Sequence, residues 1–113
     1  MKDINGEIQY KGKTYKMIFN LNVMEEIQEK YESIEKWGNL TSGDEPNVKA
    51  LIFGFTAMLN EAIDIENEEN ETKIEPLTEK QVGRIITEIG FQAATNKMQK
   101  TVVDSTQSAE KNA

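Results

Sequence analysis

The stretch that most constrains the fold is residues 48–63. Val48, Leu51, Ile52, Phe55, Met58, Leu59, Ala62 and Ile63 recur at intervals of three and four, which puts them on one broad arc of a helix. Ala50, Phe53 and Ala57 fall on the far side of the same helix. A helix that is apolar on two sides has to be covered on two sides, so it belongs at the centre of a small bundle. A second use of the far side is a groove in which Phe53, between two alanines, receives a partner helix. Asn47 supplies the N-cap.

The N-terminal segment has a different period. Ile8 and Tyr10 alternate with Glu7 and Gln9, Lys11-Gly12-Lys13 makes a short turn, and Thr14 to Phe19 is a β-prone return. Tyr15, Met17 and Phe19 share one face by the period of two. Residues 1–20 therefore predict a β-hairpin. A lone hairpin is marginal in water, so this one must pack on helices.

From Asn22 the period is helical. Asn22-Val23-Met24-Glu25 reads as a helix start, and Val23, Ile27, Tyr31 and Ile34 form its apolar stripe. The expected helix is 22–37. It runs unbroken to Trp37, or breaks near Ser33 and restarts, and Gly38 ends it. Trp37 either anchors the following connector or is a binding hot spot. Asp64 to Glu75 holds six acids and a single base, Lys73. Such a block repels itself, so residues 64–76 are expected to be a solvated acidic loop. Thr78-Glu79-Lys80-Gln81 is a capping box for a helix over 79–89, and Gly90 separates it from a last helix over 91–103. Phe91, Ala94, Met98 and Val102 line one face of that last helix. Residues 104–113 lack a large apolar side chain and are expected to form a flexible tail.

The expectation is thus a single α+β domain over 1–103, mostly α: an N-terminal β-hairpin packed on about four helices. Composition removes many activities. The 113 residues include no Cys and no His, which excludes disulfides, zinc-finger and iron–sulfur ligation, and nucleophile–His triads. A net charge of -7 argues against a general nucleic-acid binder, which needs clustered cations. No apolar run approaches the roughly 20 residues of a membrane span. No apolar segment follows Met1-Lys2-Asp3-Ile4-Asn5-Gly6, so an intracellular protein is expected. Neither phosphate-binding glycine motif is present. The carboxylates sit in solvated runs rather than apolar clefts, so no catalytic residue is assigned and a non-enzyme is expected, without cofactor. Asp64 to Glu75 spans twelve positions like a calcium loop, but Glu69 stands where that loop needs glycine, and no metal ligand is assigned. The charge is uneven. Residues 61–80 hold eight acids and two bases, whereas residues 1–20 hold four bases and two acids. That distribution fits a solubilising surface better than the regular phosphate-like array of a DNA-mimic inhibitor, which is the alternative reading.

The order of these segments resembles a known family. The hairpin runs into Phe19-Asn20-Leu21-Asn22-Val23-Met24-Glu25-Glu26-Ile27, followed by Tyr31 and Ile34-Glu35-Lys36-Trp37. Then come Lys49-Ala50-Leu51, the apolar Phe53–Ile63 stretch with Asn60-Glu61, the acidic segment, and Leu77-Thr78-Glu79-Lys80-Gln81-Val82-Gly83. Over about residues 8–103 this is similar to the tail assembly chaperones of long-tailed phages and prophages of Gram-positive bacteria. The resemblance implies a protein of the host cytoplasm that binds the tape measure protein and keeps it soluble. It implies release as tail tube protein polymerises, and absence from the mature virion. It also implies, in many members, a longer frameshifted form of the same chain. A structural tail component is a further alternative. Trp37, Phe53 and Met98 are the candidate partner-binding residues, and the two-sided helix permits self-association.

Overall fold

The computed structural model describes residues 6–43 and 45–111, with side chains through residue 106. The parts of the expected hairpin and tail at 1–5 and 112–113 lie outside the described residues. The fold is α+β and mostly helical: an antiparallel hairpin followed by five helices, against the four expected.

Strands β1 (Gly6–Tyr10) and β2 (Lys13–Met17) pair from Tyr10↔Lys13 to Gly6↔Met17. Lys11 and Gly12 both have positive φ, 49° and 79°, as the two-residue turn that matches strand twist requires. Ile8 and Met17 are buried on the inner face, with Tyr10 and Tyr15 packed beside them. The chain leaves β2 with the Ile18 N–H donating to the Met58 carbonyl at 3.2 Å, which ties the hairpin to the central helix.

Helix α1 (Leu21–Tyr31) is capped two residues before the expected position. Asn20, rather than Asn22, caps it, accepting from the Val23 N–H at 3.2 Å. The Asn22 amide instead donates to Glu61 at 3.0 Å, beside the Asn20 amide at 2.7 Å. The helix does not reach Trp37. Glu32 takes φ 76° and ends it, and Ser33 caps a separate α2 (Ile34–Thr41), accepting from the Lys36 N–H at 3.0 Å. Gly38, expected as a terminator, lies inside α2. The break wins because Ser33 offers a cap where α1 runs out of buried positions, and a cap contributes about 1 kcal/mol.

Helix α3 (Val48–Asn70) is capped by Asn47 as expected, and is seven residues longer than expected. The acidic segment is therefore largely helix, and only residues 71–78 form the connection. Like charges three or four apart cost about 0.2–0.5 kcal/mol per pair. Extending an existing helix is favourable enough to absorb that, and the inner face continues through Ala62, Ile63 and half-buried Ile65. The connection itself is held. Asn60 accepts from the Leu77 N–H at 2.7 Å and donates to the Leu77 carbonyl at 3.0 Å. One turn pair further on, Asn67 does the same to Ile74, at 2.9 and 3.0 Å. Asp64 cannot open a calcium loop, because residues 64–70 are helical.

Helix α4 (Glu79–Ile89) has the expected capping box, with Thr78 and Gln81 bonding reciprocally. Gly90, at φ 101°, turns the chain into α5 (Phe91–Lys111). The expected helix end at 103 and tail from 104 are corrected: helix continues to Lys111, with a Lys100–Asp104 pair at 3.0 Å and the Thr106 hydroxyl on the Val102 carbonyl. Docking of the first turns against the domain nucleates the helix, and propagation is then inexpensive. A Cβ on Gly6 would lie 2.6 Å from Thr101 Oγ1, so glycine allows β1 and α5 to approach. One core joins all layers, with Val23, Ile27, Leu51, Phe55, Met58, Leu59, Val82, Ile85, Ala94 and Met98 at its centre.

Candidate functional site

The three candidate partner-binding residues do not share a surface. Trp37 is 2% exposed. Its indole N–H donates to the Ala50 carbonyl at 3.0 Å, and a Cβ on Gly54 would lie 2.3 Å from its Cζ2. Trp37 thus closes the α2–α3 seam, the anchoring role. Met98 is 0% exposed, inside the core under α5. A Met98→Asp variant would therefore probe folding, not contact. Phe53 alone keeps an accessible ring. It is half-buried, edge-on to Tyr31 with centroids 5.7 Å apart, and Lys30 Nζ stands 4.9 Å from its centroid. Ala50 and Ala57, expected beside it on a far-side groove, are buried.

The open apolar surface lies elsewhere. A groove of about 850 Å³ is bounded by the hairpin tip, α3, α4 and the start of α5. Val48 and Phe91, 56% and 40% exposed, stand in it with half-buried Tyr10 and Ile52. Gly83 flanks Ile52 without being needed for the approach: a Cβ there would meet Ile52 Cδ1 only at an ordinary contact distance, 3.7 Å. Lys11, Lys80 and Arg84 rim the groove with Glu79 and Glu88. The size and the mix of apolar floor and charged rim suit a helix carrying an apolar stripe. A second groove, of about 840 Å³, lies between β2 and the 74–78 connection, over Leu59, Ala62 and Ile63.

Sequence reasoning placed Val48, Ile52 and Phe91 on apolar helix faces and named none of the three as a partner-binding candidate. A usable signal was present. Val48 and Phe91 each open a helix directly behind its boundary residue, Asn47 or Gly90, where the apolar stripe can overrun the elements that cover it.

Electrostatics set the opposite end of α3 apart. Burial pushes the Glu26 carboxyl above its ordinary range, and the charges of Glu61, Asp64, Glu29 and Glu25 add to the shift. The Tyr31 phenol is also raised, by burial and then by Glu79. On the exposed α1–α2 junction, the Lys36 hydrogen bond and charge lower Glu32. Among the described residues, no group of three or more acidic side chains is close enough to hold a metal ion, and no helix is long and apolar enough to cross a membrane.

The fold defines a class, a small α+β domain with a hairpin on a helical bundle and an open apolar groove beside its central helix. No protein-family model, curated protein or solved structure matches the chain.

Proposed function

We propose that the chain is a tail assembly chaperone of a long-tailed phage or prophage. In this reading it is a non-enzymatic protein of the bacterial cytoplasm. It binds the helical tape measure protein, keeps it soluble, and leaves as tail tube subunits polymerise, so that it is absent from the virion. The observation that carries the reading is the groove in which Val48, Ile52 and Phe91 stand open beside a charged rim. Exposed apolar surface of this kind suits reversible capture of an amphipathic helix. The acidic end of α3 suits keeping such a complex in solution. The segment order described for residues 8–103 supports the same reading.

The test is co-expression with a candidate tape measure protein, scoring its soluble fraction. Wild-type chain is expected to raise that fraction. A Val48→Asp/Phe91→Asp variant is expected to keep its circular dichroism and melting temperature, since both positions are exposed, and to lose the effect. A tape measure protein equally soluble with and without the chain rejects the chaperone reading. Full activity of the double variant rejects the groove as its site.

A further inference from the structure

The outward side of α3 is self-complementary. Lys49, Phe53, Thr56, Asn60 and Asp64 recur at intervals of three and four and so share one side of the helix. Lys49 and Asp64 are exposed, and the three between them are half-buried. The opposite arc, with Leu51, Phe55, Met58 and Ala62, is in the core. The outward side is therefore the partly open side of α3, exposed at Lys49 and Asp64 and half-covered between them, where Phe53 packs on Tyr31, the Thr56 hydroxyl is buried and Asn60 is bonded to Leu77.

Its two ends carry opposite charge. At the N-terminal end are Lys49 and, over the Phe53 ring at 4.9 Å, Lys30. At the other end are Asp64 and neighbouring Glu26. The pairs Lys49/Asp64 and Phe53/Asn60 share one midpoint, between Thr56 and Ala57. A helix face with that pattern matches a second copy of itself running in the opposite direction. We propose that this face docks on the same face of a second copy, with the two α3 helices antiparallel about a two-fold axis near Thr56. Lys49 of each copy then faces Asp64 of the other, and each Phe53 ring covers the other copy's Asn60. Symmetry makes every such contact twice.

Charge selects this orientation over the alternative. Parallel helices would set lysine against lysine and aspartate against aspartate, and like-charge juxtaposition is costly. The net charge of -7 on each copy opposes association at long range. Physiological salt screens that repulsion beyond about 8 Å while leaving contact pairs in force. The inference is independent of the chaperone reading, because it concerns a different face of the molecule.

Sedimentation equilibrium of the full chain at about 0.15 M salt tests it. Wild type is expected to show a monomer–dimer equilibrium. Lys49→Glu and Asp64→Lys should each weaken the dimer roughly tenfold, as each lost pair is replaced twice by a like-charge contact. The Lys49→Glu/Asp64→Lys double variant rebuilds the pair with its charges exchanged, and should return to within about threefold of wild type. Both positions are exposed, so all variants should fold, which thermal melting verifies. A wild-type chain that stays monomeric at every concentration overturns the proposal. So does a dimer indifferent to the single changes, or a double variant no tighter than the singles.

Discussion

At the residue scale, several side chains do work that their type alone does not announce. Trp37 is a large aromatic at a helix junction, a common profile for a binding anchor, yet its indole is hydrogen-bonded to Ala50 and pressed on Gly54. Glycine inside a helix costs about 1 kcal/mol relative to alanine, so Gly54 has to be offset by something. The offset is the close approach of the indole ring. Gly54→Ala should accordingly destabilise the protein, by about 1–3 kcal/mol, despite the better helix former. The check is denaturant unfolding beside Gly83→Ala, where the added Cβ meets only ordinary contact and the helix should gain stability. A more stable Gly54→Ala protein would show that the ring moves aside freely.

At the element scale, the boundaries marked by a local cap were mostly legible, and the ends of α3 and α5 were not. Asn47, Thr78 with Gln81, and Gly90 were readable because a cap is a local hydrogen bond between near neighbours. The end of α3 was not, because its acidic run has the composition of a loop. What holds the region is the Asn60 and Asn67 pair, seven residues apart on one side of α3, each bonding both backbone groups of a residue in the 71–78 connection. These bonds span seven and seventeen positions, and no local pattern encodes them. Asn60→Ala removes two of them and leaves the part-buried backbone of Leu77 unpaired. It should cost about 1–3 kcal/mol. It should also raise hydrogen exchange at the Leu77 amide well beyond that at the α4 interior. Unchanged exchange there would mean that the connection is held by its apolar contacts instead.

At the scale of the whole molecule, the uneven charge has a thermodynamic consequence. Glu26 sits with its carboxyl raised by burial and by the acids of α1 and α3. The folded state therefore binds its proton more readily than the unfolded chain does. As pH rises through that window the unfolded state loses the proton first, so this group's contribution to stability falls with rising pH. Glu26→Gln should thus raise the melting temperature near pH 7. The gain should shrink as pH falls below the ordinary glutamate range, where both states are protonated. Melting curves across pH 4–8 read this directly. A gain of the same size at every pH would assign the effect to packing and not to charge. The α+β class and the central position of α3 follow from two periodicities, period two over 6–17 and the two-sided stripe over 48–63.

By itself the sequence determined the elements: a hairpin, the capped starts of two later helices, the glycine between the last two, and a central helix with apolar residues on two sides. Those properties are local, set by side-chain period and by hydrogen bonds between near neighbours. Only the tertiary structure decided which apolar residues are covered. Trp37 and Met98 went into the core, Phe53 stayed at the boundary, and Val48 and Phe91 were left open. The reason is that burial depends on where elements from distant parts of the chain end relative to one another. Periodicity shows which side of a helix is apolar, and only packing shows how far along that side its neighbours reach.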